Sequence, residues 1–489
     1  MLTAFLLMPV AGALAIAFLP GARQHEAKYV ALFFSALAFL LSIVIFVAFD
    51  PDEPGYQFVD RFEWIRAGDA GFSVQYALGV DGLSAPLVLL TGLLSLAAVL
   101  VSWNVEVRQK EYFIWLLLLE TAVAGVFMSL DLIQFFLFWE LELLPMYLLI
   151  SIWGSGRREY SAMKFLLYTI SGSAFMLVGF LVLGFTAGTF DIAELAANPV
   201  QDAVIPLSAL FWFIMLAFLV KLPTFPLHTW LPDAHTDAPT AVSVLLAGVL
   251  LKMGGYGILR IALPLLPDEA RDFRAVLAAL AAVSVVYGAV LTLQQRDLKR
   301  LVAYSSVSHM GFVLLGVSAM GAVGLSGAAL QMFTHGTITG LLFIVVGLLY
   351  DRTHTRQIAD MQGLMHHTPL IGVVMVVTGL AALGLPGMSG FVAEITVFFG
   401  AIDAHPAATI AAVSGVVLAA GYILWMVQRV FTGPPSERWA GLTDATAWWE
   451  RTAMAGMLVF IIGFGIYPRL LTEAIESGIG PIAAAVAGA

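Results

Sequence analysis

The sequence contains no cysteine. That absence excludes disulfides, thiol redox chemistry and thiolate-bound iron-sulfur or zinc sites within this chain. Any electrons move elsewhere. Charge is also scarce, at 11% of 489 residues. No lysine is followed by Ser or Thr, so a Walker A phosphate loop is absent and ATP is not the driving force within this polypeptide. The formal net charge of -10, with basic residues scattered through short loops, argues against a nucleic-acid partner. What the chain has is apolar surface: 60% hydrophobic residues and a mean hydropathy of +0.93. It reads as an all-α polytopic membrane protein without a soluble domain.

Fourteen apolar runs are long enough to cross a bilayer, with approximate spans 2–20, 29–49, 83–103, 112–129, 131–153, 162–187, 208–231, 238–263, 272–294, 301–320, 322–349, 368–401, 407–431 and 452–475. The first run resembles a signal peptide in length, but it lacks a positive start and another long run follows at once. With Met1 outside, fifteen Lys/Arg residues fall on the inside and six in outside loops, leaving Lys221 and Lys252 in the membrane to complete the 23. Both termini are then outside. The longest outside connection, 50–80, carries Asp50, Asp52, Glu53, Asp60, Glu63 and Asp69 and is expected to form a small hairpin.

The chain is organised around 218–257, FLVKLPTFPLHTWLPDAHTDAPTAVSVLLAGVLLKMGGYG. Lys221 and Lys252 stand in apolar runs here, with Pro223, Pro226, Pro232, Pro239, His228 and His235 between them. A second Pro-interrupted run, LPGMSGFVAE at 385–394, ends on Glu394. Proline removes a backbone donor and frees a carbonyl, so a break at membrane depth is tolerated only where protein or water satisfies the released groups. Paired breaks point to two inverted repeats with an ion site between them. The expected division is helices 1–3 with the hairpin at 1–105, a first repeat at 106–265, a second at 266–432, and helix 14 with a tail at 433–489.

The embedded ionisable groups are Glu120, Glu140, Glu142, Lys221, Lys252 and Glu394, joined by His228, His235, His309 and His335. Each charge at the centre of a membrane helix costs about 2.5–3.5 kcal/mol, so these groups need interior partners and are functional by default. Burial raises a carboxyl pKa and lowers a lysine pKa, bringing both toward neutrality, and a row of such groups can pass protons. Glu140 and Glu142 lie about 200° apart on a helix, so one of them cannot face the axis. Glu140 is favoured, with Tyr147 two turns on and Trp139 able to close it from lipid. For Glu142 and Glu120 a purely structural hydrogen-bonding role is the equal alternative. His309, one turn from Ser305, and His335, between Thr334 and Thr337, suit a hydrogen-bonded relay. His228 and His235 flank a turn with Asp233 and Asp237, which leaves a metal site as a minor alternative, since zinc ligands usually stand closer.

FWELELLPMYLLISIWG (138–154), LPDAHTDAPTAVSVLLAGVLLK (231–252), QQRDLKRLVAYSSVSHMGF (294–312), His335-Gly336 and LPGMSGFVAE (385–394) together resemble the antiporter-like membrane subunits of respiratory complex I, most closely the M type. The resemblance implies fourteen helices, two inverted five-helix repeats and one proton channel in the membrane arm of a proton-translocating NADH:quinone oxidoreductase. It implies Glu140 and Lys221 as a glutamate-lysine pair, Lys252 as the central lysine, His309 and His335 as links, and Glu394 as the exit-side group. Related N- and L-type subunits and many Mrp-type antiporter subunits have lysine where Glu394 stands, and L-type chains continue as a long lateral helix, whereas this chain stops soon after Pro481. Hydrogenase-type complexes and Mrp-type cation/proton antiporters reuse such a subunit and stand as alternatives. No cofactor is implied in this chain; FMN, iron-sulfur clusters and quinone belong to partner subunits. L- and N-type subunits are the implied neighbours. The implied location is a bacterial inner membrane, or that of an energy-transducing organelle.

Overall fold

A computed structural model describes residues 1–67 and 72–487. Two helices, α1 (Leu2–Phe18) and α2 (Ala27–Ala48), lead into an antiparallel hairpin of β1 (Gln57–Ala67) and β2 (Phe72–Val80). Both strands fall within the outside connection expected at 50–80, of which Asp69 lies outside the described residues. The hairpin is tied to the membrane bundle by polar contacts: Asp60 accepts from the N-terminal ammonium at 3.3 Å, and Arg61 pairs with Asp191 at 2.7 Å.

The first half continues with α3 (Ser84–Val101), α4 (Gln109–Met128), α5 (Leu132–Leu141), α6 (Leu143–Trp153), α7 (Arg158–Ala187), the short α8 (Ile192–Ala197) and α9 (Leu207–Lys221). The chain then loses helical form and resumes in α10 (Trp230–Asp237). Pro223 and Pro226 cannot donate, and the freed groups are met locally. Thr224 Oγ1 donates to the Leu222 carbonyl at 2.7 Å, and the Phe225 N–H reaches Ser284 Oγ at 3.0 Å.

Residues 240–265 form one continuous but uneven rod: α11 (Thr240–Leu245), a π-turn at Leu246–Leu250, α12 (Leu251–Gly257), a second π-turn at Ile258–Ala262 and α13 (Leu263–Leu265). There follow α14 (Pro267–Leu293), α15 (Leu298–Ser318), α16 (Ala322–Thr353), α17 (Pro369–Ala382), α18 (Ser389–Ala401), α19 (Pro406–Phe431), α20 (Trp448–Ile466) and α21 (Arg469–Ala487). The second break separates α17 from α18. Both breaks close alike, with an N–H bonded five residues back: Thr224 to Leu219 at 3.2 Å and Leu385 to Leu380 at 3.0 Å.

Among the described residues, twelve helices are long and apolar enough to cross a membrane, and the shorter α1, α9, α17 and α18 supplement them. The apolar windows of the rod at 240–265 and of α16 are wholly buried within the protein, whereas those of α2 and α20 are 28% buried. The costly side chains therefore sit on central helices, and the peripheral ones present apolar faces to lipid.

One boundary differs from the sequence expectation. The last span ends at Ile466 and not near 475, because Pro468 has no N–H to continue it; residues 469–487 start a new helix. A Cβ on Gly478 would stand 2.3 Å from the Leu83 nitrogen, and Arg271 Nη1 donates to the Val486 carbonyl at 3.3 Å. Both contacts are with helix ends that the charge bias assigns to the outside, and α21 packs across those ends.

Candidate functional site: a buried row of ionisable groups

The first cluster forms where α9 ends. Lys221 Nζ donates to Glu142 Oε1, and both side chains are almost wholly buried, at 1% and 0% exposure. The ammonium also lies 5.4 Å from the centres of the Trp139 and Phe165 rings, a cation–π setting that offsets lost hydration. Glu140, expected as the partner, is only partly buried; it stands near Ser173 and within electrostatic range of Lys221. The physical reason is the helix face. Phe135, Trp139, Glu142, Met146 and Leu149 recur at helical spacing and are all buried, so Glu142 belongs to the inward stripe. Glu140 shares a face with the exposed Leu137 and Leu144. Trp139 does not screen Glu140 from lipid as expected, but packs on Phe218 beneath the lysine. The signal was available in the sequence: Trp139 and Glu142 are three residues apart and therefore face the same way.

The second cluster is continuous. Lys252 is fully buried, and its ammonium donates to the Ala247 carbonyl and meets His335 Nδ1 at 2.7 Å. The π-turn explains the first contact. Widening the helix at 246–250 disturbs the regular ladder and lets a carbonyl five residues back accept from the side chain. The ring centres of His335 and His309 lie 5.7 Å apart. His309 Nδ1 stands 3.4 Å from Glu394 Oε1, and Tyr422 Oη lies 3.4 Å from its Nε2. The row is thus Lys252, His335, His309, Glu394, with Tyr422 an addition that sequence reading missed because it arrives from α19.

The serines around His309 do not form the expected hydroxyl relay. Ser305 and Ser306 donate to the Val302 carbonyl, and Ser308 donates to the Val285 carbonyl. Polar capacity lies elsewhere: Gln331 Oε1, Thr334 Oγ1 and His335 Nε2 are buried without a partner among the described residues, and all three residues border a cavity of about 10 Å³. That volume suits about one water with several polar neighbours.

The two clusters are close but share no hydrogen bond among the described residues. α12 packs directly on the first break: a Cβ on Gly254 would come within 2.5 Å of the Leu222 nitrogen and 2.6 Å of the Phe218 carbonyl. Glu394 lies beyond its break, six residues into α18, whereas Lys221 ends the helix before its break. The rough equivalence of these two positions is therefore one of neighbourhood and not of register. Glu120 is buried, and neither carboxyl oxygen has a partner among the described residues.

His228, His235, Asp233 and Asp237 do not converge on a common point. Asp233 bonds Lys164 at 2.7 Å and Arg300 at 3.4 Å, Asp237 accepts from Ser161 at 2.6 Å, His228 packs against Phe225 and Tyr287, and His235 stacks on Phe343 at 4.6 Å. Near the outer end Arg260 pairs with Asp81, another buried ion pair that the sequence did not single out.

An all-α membrane bundle with two interrupted helices and buried lysines facing carboxylates and histidines defines an ion-translocating subunit of the antiporter-like class. The chain belongs to the NADH:quinone oxidoreductase/Mrp antiporter transmembrane family, whose model matches residues 129–419. It is 42% identical to NADH-quinone oxidoreductase subunit M of Rhodobacter capsulatus, over 93% of this chain and 90% of that one. Identity is also 42% with NAD(P)H-quinone oxidoreductase chain 4 2 of Thermosynechococcus vestitus, over 100% of this chain and 92% of that one. Among solved structures, a chain of respiratory complex I from Thermus thermophilus with bound NADH superposes with a TM-score of 0.88 at 30% identity, covering 99% of this chain and 100% of that chain.

Proposed function

We propose that this chain is a proton-translocating membrane-arm subunit of a complex I-type NADH:quinone oxidoreductase, of the M type. The observation that carries the reading is the unbroken sequence of buried titratable groups from Lys252 through His335 and His309 to Glu394. Full-length similarity to subunits of that enzyme supports the assembly. The chain has no cysteine, so the flavin, iron-sulfur clusters and quinone are assigned to partner subunits, and L- and N-type subunits to its flanks in a bacterial inner membrane. The membrane-arm role follows the two repeats, 106–265 and 266–432, each with its broken helix.

The working cycle is electrostatic. Redox chemistry in another arm changes the charge along the axis, and the pair of Lys221 with Glu142 opens or closes, Glu140 standing as the second carboxylate in range. A proton released by the Lys221 ammonium is taken by the neutral amine of Lys252. From Lys252 it passes to His335 Nδ1, then to His309, and Glu394 releases it outward. Moving one charge near a buried amine changes its proton affinity, which is what couples the clusters.

Reconstituted complex carrying Lys252→Ala or Lys221→Ala tests this. Quinone reduction and proton pumping should fall together to a small fraction of wild type; full retention of both in either variant overturns the assignment. The same family includes Mrp antiporters, and co-purification with flavin and iron-sulfur polypeptides separates the two assemblies.

A further inference from the structure

Away from the buried row, a cavity of about 190 Å³ lies between the hairpin and α5, bordered among the described residues by Phe62, Trp64, Tyr76, Gln134, Leu137 and Phe138. Phe62 and Tyr76 face each other across the strands and stack at 4.4 Å. Phe62, Trp64 and Leu137 are exposed, so the space opens to the surroundings. The Tyr76 hydroxyl is already engaged with Thr3 Oγ1 at 3.1 Å. Apart from Gln134, the described side chains around the cavity are aromatic or aliphatic.

The amide of Gln134 has a fixed orientation. Its Oε1 accepts from the Ala77 N–H at 2.7 Å, and because a backbone N–H can only donate, the oxygen must face β2 and Nε2 must turn away from it. That Nε2 is buried and has no partner among the described residues. A bare buried donor is costly unless something brings it an acceptor. Water suits the place poorly, since a buried water takes two to four polar partners. Depth narrows the choice further. α5 and α6 make one span of 22 residues, about 33 Å of helix against a hydrocarbon core of about 30 Å. Gln134 stands in its first turn, at the outer edge of that core, with Leu137 and Phe138 one turn deeper. Phe62 and Trp64 overhang from the polar side, at the level that aromatic side chains favour. The ester carbonyls of phospholipids lie at this same boundary, and their acyl chains continue inward.

We infer that this cavity binds one outer-leaflet glycerophospholipid, with Gln134 Nε2 donating to an acyl-ester carbonyl and the chain beyond that ester lying against Phe62, Trp64, Leu137 and Phe138. The site is independent of the proton path. A diacyl phospholipid offers an acceptor that carries no donor of its own, followed at once by an unbranched apolar chain. A lone N–H among apolar walls selects that combination. The bound lipid fills the space between the hairpin and α5. It adds apolar contact to a joint otherwise made of polar ties, such as the Gln75 N–H donating to Asp131 at 3.1 Å.

The test uses the whole complex in dodecyl maltoside, with a diester phosphatidylglycerol that carries a photoactivatable diazirine in one acyl chain. Light should label the peptides holding Phe62 and Trp64 or Leu137 and Phe138, read by mass. Unlabelled diester lipid should compete, and the matching diether lipid, which lacks the carbonyls, should compete about tenfold less well, the scale of one hydrogen bond. Gln134→Glu at alkaline pH keeps an oxygen for the Ala77 N–H and loses the donor, so labelling should fall by about the same factor. Trp64→Ala removes a wall and should also lower it. Equal competition by the diether lipid, or unchanged labelling in either variant, overturns the site. A benzophenone amino acid in place of Trp64 should yield an adduct of phospholipid mass; an adduct with a neighbouring polypeptide and none with lipid shows that protein fills the cavity and overturns it too. If Gln134→Glu does not assemble, the diether competition, which needs no variant, and Trp64→Ala at its exposed position decide the matter.

Discussion

The carboxylate that meets the Lys221 ammonium is that of Glu142, two residues beyond Glu140 and on the opposite face of the same 132–153 span. Removing one member of a buried ion pair strands the other, at a cost of about 3–5 kcal/mol, whereas replacing both with apolar groups of similar volume is often neutral. Glu142→Leu and Lys221→Met should each lower the amount of assembled complex, and the double variant should recover most of it while remaining unable to pump. Quantitative blotting of membranes with proton-uptake assays measures both. Assembly of the double variant as poor as that of either single one would show that the pair does not hold the helices. Glu140→Gln should assemble normally, because its carboxylate is not the ammonium's hydrogen-bond partner.

Gly254 is where the rod bearing Lys252 touches the break below Lys221. Its missing side chain is required by backbone, not by a flexible neighbour, since an added Cβ would press on the Leu222 nitrogen and the Phe218 carbonyl. Gly254→Ala should therefore push α12 off the break and destabilise the subunit by about 1–3 kcal/mol, lowering the midpoint of thermal inactivation. Gly456 is the matched control, because a Cβ added there would meet no described atom within 4 Å. Gly456→Ala should be neutral or stabilise by about 0.5–1 kcal/mol as a helix-interior change. Equal midpoints for the two variants would mean that the contact at Gly254 yields easily.

Much of this arrangement was legible from cost alone. Lys221, Lys252 and Glu394 announce themselves because an ionisable group in an apolar run must have a partner, and the prolines at 223, 226 and 386 announce the breaks. Which partner each group has depended on faces and depth. Single aromatic neighbours favour Glu140, and only the whole buried stripe from Phe135 to Leu149 singles out Glu142. The serines beside His309 misled because helical spacing places hydroxyls near a ring but equally near their own carbonyls, which they bond. Tyr422 and the pair of Arg260 with Asp81 come from distant parts of the chain, and no local pattern signals such meetings.

Outside the membrane, the N-terminus is moored to the hairpin through Asp60. Partial burial alone would push that carboxyl up, but the Thr3 N–H and hydroxyl, each at 2.9 Å, and the terminal ammonium outweigh it and hold the carboxyl below its usual range. A carboxylate held low contributes stability that is full above its unfolded value near ~4 and is lost as pH falls through the folded one. Hydrogen exchange at the Thr3 amide, corrected for intrinsic rates, should therefore quicken as the outer pH drops below about 4. In Asp60→Asn the amide should exchange faster at neutral pH and show no such step. A step that survives in the variant would assign the mooring to another group.

His309 is held from both sides, by Glu394 at one ring nitrogen and by the Tyr422 hydroxyl at the other, each at 3.4 Å. The two contacts are unequal in kind. The tyrosine offers a long neutral hydrogen bond, worth about 0.5–1.5 kcal/mol at most, and it orients the ring without taking the proton. In the proposed path Glu394, its Oε1 3.4 Å from His309 Nδ1, is the acceptor to which the proton goes next. Tyr422→Phe should therefore slow pumping only a few-fold and leave the number of protons per electron unchanged, because a misoriented ring delays each transfer without opening another path. Glu394→Gln keeps the volume but removes the charge and the proton acceptor, so it should reduce the rate by about a hundredfold, as loss of an acid–base group does. The discriminating measurement is the ratio of protons to electrons at matched turnover. If Tyr422→Phe lowers that ratio as much as Glu394→Gln does, the hydroxyl is itself a carrier and the exit runs through α19; if neither changes rate or ratio, His309 is not on the path.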